Sequence, residues 1–252
     1  MLGEAARAAG YRLIIRDEVA STMEEARRAL DQGDPGQLWI VARSQSAGRG
    51  RHGRSWGSPP GNLYASLLLV EPCEMALAPQ LGFVAGLALH DAADRVTGLA
   101  APQLALKWPN DLLIGRAKTA GLLLEGESRA GRFAVTIGMG VNVASRPEDT
   151  PYPASFLKEI APSASVESLL AALSDAWLAR FRAWSLPGGF GPTRAAWLER
   201  AAFLGETITL RLAEGPLSGR FSGLDAFGRL ELDTDDGRRV IDAGDLYFGA
   251  PA

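Results

Sequence analysis

Residues 11–16 (YRLIIR) set an apolar block between basic ends and predict a first strand. Ser21 with Glu24, or Thr22 with Glu25, has the spacing of a capping box, so a helix is expected from there to about Leu30. Gly33-Asp34-Pro35-Gly36 stops it. Residues 38–43 (LWIVAR) and 63–70 (LYASLLLV) read as apolar strands joined by a polar loop rich in Gly and Arg, 44–62. Leu81, Val84, Ala85, Ala88 and Ala92 recur at helical spacing and predict a helix over 77–96. A strand at 104–108 runs into the turn Pro109-Asn110-Asp111. Residues 112–114 and 119–127 suggest a hairpin through Gly115-Arg116. A further strand, 133–143, contains Gly138 and Gly140, and glycine inside a strand signals a bulge or a close backbone approach.

The second half begins with a helix over 165–184. Its stripe of Val166, Leu169, Leu170, Leu173, Trp177, Phe181 and Trp184 reads as core. A Pro/Gly cluster at 187–192 leads to a short helix near 193–202. The last fifty residues change character. Residues 207–212 and 229–233 alternate apolar with polar, Asp235-Asp236-Gly237 marks a hairpin into 239–241, and Gly215-Pro216 and Phe227-Gly228 mark other turns. The pattern predicts two domains, 1–202 and 203–252, the second a small antiparallel β module.

Composition narrows the class. The chain has 252 residues, 47% apolar and 22% charged, which is ordinary for a globular protein. Net charge is −3, so no dedicated nucleic-acid partner is expected. One cysteine, Cys73, forbids an internal disulfide and fits a reducing compartment. There is no apolar run of membrane-spanning length and no secretory-type apolar segment, so a cytoplasmic location with no membrane partner is expected. His52 and His90 are the only histidines, so no protein metal site is expected. His90, mid-helix, reads as a satisfied, half-buried residue.

Four segments carry chemistry. In 48–56 (GRGRHGRSW), glycines allow positive φ, so backbone N–H groups can converge on an anion, while Arg49, Arg51 and Arg54 add guanidinium forks. The loop occurs once and is held between two strands, unlike a flexible repeat of Arg and Gly. Gly48-x-Gly50-x-x-Gly53 imitates a dinucleotide fingerprint, but no acidic residue stands where a ribose would need it. The other three are 107–111 (KWPND), Lys118 before the apolar run 122–124, and 138–143 (GMGVNV). Read singly, these are also compatible with an Asx turn, a solvated lysine and a bulge.

Together the four segments, with 118–125 reading KTAGLLLE and 17–22 reading DEVAST, resemble the biotin protein ligase family in order and spacing. The resemblance covers about residues 11–252. It implies an α+β fold, with a mixed sheet flanked by helices and a small C-terminal SH3-like β-barrel. It implies a two-step reaction with biotin as substrate and ATP with Mg²⁺ as co-substrate, through biotinyl-5′-AMP, to a lysine of a biotin carboxyl carrier domain. Ser21, Thr22, Met23, Gln45, Arg49, Gly50, Arg51 and Lys118 are then expected on the biotin side. Arg51, Arg54, Trp56, Asn110, Lys118 and Asn142 are expected on the nucleotide side. Lys118, Arg51 and Asp111 are expected to be catalytic, Asp111 near the acceptor lysine. The family often has Asn where Met23 stands, and some members have Arg where His52 stands. Some members carry an N-terminal helix-turn-helix, for which the start of the pattern near residue 11 leaves no room here. A homodimer is compatible with the resemblance. A lipoate or octanoyl ligase of the same fold and a binding homologue without catalysis are the alternatives.

Overall fold

The computed structural model describes residues 1–129, 131–212, 215–242 and 245–247. The chain runs α1 (Glu4–Ala8), β1 (Arg12–Val19), α2 (Thr22–Asp31), β2 (Leu38–Gln45), β3 (Leu63–Val70), α3 (Gln80–Thr97), β4 (Leu104–Lys107), β5 (Asp111–Ile114), β6 (Ala117–Arg129), β7 (Arg132–Val141), α4 (Leu157–Ile160), α5 (Val166–Trp184) and α6 (Phe190–Leu198). The strands form one mixed sheet in the order β1-β2-β3-β7-β6-β5-β4. Only β1 and β2 pair in parallel, and α2 makes the crossover that parallel neighbours need.

Alternation in the central strands sorts their side chains onto two buried faces. Leu38, Ile40, Leu68 and Ala134 pack under Ala26 and Leu30 of α2. Trp39, Val41, Leu67, Val135 and Ile137 face the larger core built with α3 and α5. Burial on both faces explains why β2 and β3 read as continuous apolar runs. The helix α2 covers only its own end of the sheet. On the same face, further along β7, come Gly138 and Gly140, and here the sheet is left open.

The C-terminal module comprises β8 (Thr207–Leu212), β9 (Gly215–Leu224), β10 (Leu230–Thr234), β11 (Gly237–Ile241) and β12 (Asp245–Tyr247), antiparallel in the order β11-β10-β9-β8-β12. Its inward residues Leu210, Phe221, Leu230 and Leu232 join the main core. The segment leading into the module is tied to β4 through the backbone. Leu106 donates to Arg200 O at 2.8 Å, and Ala202 donates to Leu106 O at 2.8 Å. The Trp108 indole donates to Gly228 O at 3.2 Å.

Several elements differ from expectation. Ser21 caps α2 by accepting from Met23 N, but Glu24 completes no box; its carboxylate turns to Arg27 and Arg49. Residues 75–77 form a separate 3₁₀ turn, so α3 starts only after Pro79. The last helix begins at Phe190 rather than 193, with Pro192 in its first turn, where a missing N–H costs nothing. Strand β9 reads in the sequence only as a turn, because its Gly215-Pro216 start hides the alternation behind it. The two glycines of β7 do not mark a bulge, since its register against β3 and β6 is unbroken. His90 is fully rather than half buried, 3% exposed, with Nε2 on Leu104 O at 3.1 Å.

Candidate functional site

The open end of the sheet is a cleft of about 260 Å³. One end of it is polar. Gln45, at the end of β2, accepts from Thr22 N at 2.8 Å and Thr22 Oγ1 at 3.2 Å through its amide oxygen. Its amide nitrogen donates to Ser58 Oγ at 2.9 Å, fixing which way the amide points. Ser66 on β3 donates to Thr22 Oγ1 at 2.8 Å. A hydroxyl, an amide and the N-terminus of α2 are thus held in one orientation at a site where Ser21 and Thr22 are each 3% exposed. Burial makes that orientation stiff, because an unpaired polar group there would be costly.

The loop after β2 is a small hairpin. Trp56 N donates to Gly48 O at 2.9 Å, Gly50 N donates to Arg54 O at 2.7 Å, and Arg49 bridges Ser55. His52 and Gly53 at its tip have φ of 55° and 70°. Glycine is required at 48: a Cβ there would lie 2.5 Å from Trp56 O. Arg49 swings outward, with its guanidinium 3.3 Å from both Glu24 of α2 and Glu125 of β6. Arg51 points inward and donates to Asn110 Oδ1 at 3.3 Å. Asn110 in turn donates through Nδ2 to Leu122 O.

The floor is made of glycines because side chains lie directly on it. A Cβ on Gly140 would meet the Trp56 ring at 2.5 Å, and one on Gly138 would meet Met23 Sδ at 2.7 Å. Met23 therefore fills, with a thioether, space that Gly138 leaves.

Lys118 reaches this floor because β6 is irregular. Asp111 pairs with Gly121 and Leu112 with Ala120, but Leu113 pairs with Lys118. The extra residue, Thr119, turns Lys118 onto the same face as Gly121; bulges commonly re-aim a side chain beside an active site. Lys118 Nζ lies 2.8 Å from Asp111 Oδ1 and between two rings, 5.5 Å from the centre of Trp56 and 5.4 Å from that of Tyr152. Lys107 Nζ stands 4.0 Å from the other oxygen of Asp111.

Every residue expected to meet a ligand lines this one cleft except Asn142. That amide is 5% exposed and holds Ser155 O at 3.0 Å, which anchors the segment bordering the cleft. The sequence does not single out Tyr152, Gly121 or Arg116. Tyr152 sits between two prolines, a pattern that suggests only a loop. Arg116, at the β5–β6 turn, lines the cleft and is tied to Glu206 of the C-terminal module at 2.8 Å. Among the described residues no group of three or more acidic, His or Cys side chains could hold a metal ion.

Residues 17–142 match the model of the biotin/lipoate A/B protein ligase family. The chain belongs to that family. Residues 203–249 match the biotin protein ligase C-terminal domain. The chain is 44% identical over 238 residues to a biotin–[acetyl-CoA-carboxylase] ligase of Paracoccus denitrificans, covering 91% of this chain and 97% of that one. It is 32% identical to the bifunctional ligase/repressor BirA of Bacillus subtilis, covering 95% of this chain and 75% of that one. Among solved structures, the Aquifex aeolicus biotin protein ligase in complex with biotin and ATP superposes with a TM-score of 0.79 at 30% identity, covering 94% and 97% of the two chains.

For a ligase of this family the geometry has a clear logic. The polar end can hold a ring with both donors and acceptors. The Arg51–Lys118 side presents fixed positive charge, and the single carboxylate, Asp111, stands between the two lysines. No helix among the described residues is long and apolar enough to cross a membrane.

Proposed function

We propose that the chain is a biotin protein ligase. It joins the biotin carboxylate to the α-phosphate of ATP with release of pyrophosphate. It then passes the biotinyl group from biotinyl-5′-AMP to a lysine of a carrier domain with release of AMP. The observation that carries this reading is the meeting, in one cleft, of the oriented Ser21–Thr22–Gln45 end with Lys118 and Arg51.

The residues divide the work. Ser21, Thr22, Met23, Gln45, Arg49 and Gly50 form the biotin side, the hydroxyl and amide groups meeting the ureido ring and Met23 its apolar flank. Arg51, Arg54, Trp56 and Asn110 form the nucleotide side; Asn142 supports that side through the 153–157 segment instead of touching the ligand. In the first step a carboxylate approaches a polyphosphate, and the repulsion of two anions must be offset. Lys118 and Arg51, fixed by their partners, place positive charge where the attacking and bridging oxygens meet, and cost little reorganisation as charge shifts. In the second step Asp111 orients the incoming lysine and accepts its proton. A Mg²⁺ ion would enter on the ATP phosphates. The described residues offer it no cluster, and its chemistry is charge neutralisation on those phosphates. The carrier domain of a biotin-dependent carboxylase is the acceptor, and the cytoplasm is the site of reaction.

The test is ATP–pyrophosphate exchange with biotin, then with lipoate. Biotin is expected to support exchange and lipoate not; the reverse result sinks the reading.

A further inference from the structure

Two carboxylates outside the cleft hold a residue that belongs to it. The Arg49 guanidinium lies 3.3 Å from Glu24 Oε1 and 3.3 Å from Glu125 Oε2, and neither carboxylate lines the cleft. Both have sequence positions that suggest another task or none. Glu24 has the spacing of a capping box that does not form, and Glu125 ends the segment 118–125.

The contact is the end of a longer chain of charges. Glu24 also faces Arg27 at 3.6 Å, Arg27 faces Glu127 at 3.7 Å, Glu127 faces Arg129 at 2.8 Å, and Arg129 faces Asp31 at 3.7 Å. Periodicity lines these groups up. Glu24, Arg27 and Asp31 share one face of α2, and Glu125, Glu127 and Arg129 share one face of β6. Each guanidinium in the chain lies between two carboxylates. A single exposed pair is worth little, but a network of this kind is the recognised exception. At its end Arg49, Glu24 and Glu125 are each only about a third exposed, so solvent screens them in part.

The hairpin over 48–56 needs such a support. Its internal bonds, Trp56 N to Gly48 O and Gly50 N to Arg54 O, shape it without fixing it over the sheet. Arg51 ties one side of it to Asn110, and Arg49 ties the other to α2 and β6. We infer that Glu24 and Glu125 are positioning residues, which dock the glycine-rich hairpin over the biotin side through Arg49 before any ligand binds. The biotin part rests on the ligase reading. A loop already in place spares the ligand the cost of ordering it, so the effect falls on affinity and retention. The chemical step, which depends on Lys118 and Arg51, is untouched.

The experiment compares the full chain with Glu24→Gln, Glu125→Gln, the double variant and Glu125→Asp. Trypsin is added without ligand, and cutting after Arg49, Arg51 and Arg54 is followed by mass spectrometry. Pyrophosphate exchange gives KM for biotin and kcat. Each single Gln variant is expected to raise both the cutting rate and the KM by about threefold, and the double variant by about tenfold, with kcat within about twofold of wild type. Glu125→Asp, which keeps the charge, is expected to lie between wild type and Glu125→Gln. Raising salt from about 0.05 to 0.5 M is expected to speed cutting of the wild type toward the rate of the double variant, which itself responds far less. Asp233→Asn, which breaks an ion pair in the C-terminal module, is expected to alter none of these. Cutting no faster in the double variant, an equal salt response in both, or a loss confined to kcat overturns the inference. Absence of exchange in the wild type defeats the ligase reading instead, and the cutting rates then decide the docking by themselves.

Discussion

Lys118 Nζ and Asp111 Oδ1 lie 2.8 Å apart across the β5–β6 pair, joined by a bulge that a regular strand would not supply. The pair places the cation proposed for the first half-reaction against the carboxylate proposed for the second. Replacing Lys118 with Ala removes the charge offered to the junction of carboxylate and phosphate. Adenylate formation is expected to slow by about 10²–10³, the usual worth of one such donor. Biotin affinity is expected to change far less. Single-turnover formation of the adenylate, with biotin binding measured separately, checks this; a loss confined to affinity would make Lys118 a ground-state contact.

Arg51 spans the cleft from the hairpin to Asn110. Arg51→Gly removes that fork and adds a flexible residue beside Gly50. The adenylate still forms on Lys118 and leaves faster, since most affinity changes appear in the off-rate. The variant therefore biotinylates bystander proteins. Arg51→Lys restores retention only in part, because an ammonium lacks the bidentate geometry. The dissociation rate of biotinyl-AMP is the measurement, and an unchanged rate rejects the clasp.

The two floor glycines predict separable defects. A methyl at 140 strikes the rigid Trp56 ring at 2.5 Å, while one at 138 strikes the flexible end of Met23 at 2.7 Å. Gly140→Ala is expected to displace the indole and raise the KM for ATP more than that for biotin. Gly138→Ala is expected to do the opposite, and more mildly, because a thioether yields easily. Steady-state constants for both substrates in both variants decide the matter.

His90 makes stability depend on pH. Burial pushes its pKa below the ordinary value, aided by nearby Arg200, and the contact with Leu104 O and the charges of Asp91 and Asp94 offset this only in part. The unfolded chain therefore binds a proton that the folded chain refuses. Stability is full above the ordinary histidine pKa, about 6.5, and is lost as pH falls below it. His90→Leu lacks this component. Urea midpoints at pH 7.5 and 5.5 should fall more for the wild type than for the variant; parallel falls would contradict the assignment.

Much of this architecture is legible in the chain. Strands β2 and β3 and helices α3 and α5 show their apolar pattern directly, because both sheet faces and long helix stripes are buried. The cleft is legible as a set of motifs, since Ser21, Gln45, Arg51, Asp111 and Lys118 come from the four segments 17–22, 44–62, 107–111 and 118–125. Two features escape. The turn of Lys118 toward the floor depends on pairing register, which one strand's sequence does not encode. Tyr152 joins the site because its segment is tied down from outside it, by Lys118 N on Pro153 O and by the Asn142 amide on Ser155 O. Asn142 illustrates the converse, a motif residue whose amide is committed to the backbone.

The Trp108 indole reaches past β4 to the carbonyl of Gly228, in a loop braced by Asp225, whose carboxylate accepts from Phe227 N and Arg229 N at 2.9 Å each. Trp108 adjoins the turn that carries Asn110 and Asp111. The C-terminal module is therefore part of the foundation of the reacting turn and not an independent appendage. Swapping modules between relatives would change the footing of Asp111 even with every cleft residue retained. The two halves meet there through a main-chain atom, so the footing depends on the path of the backbone at Gly228 and not on which side chain it carries.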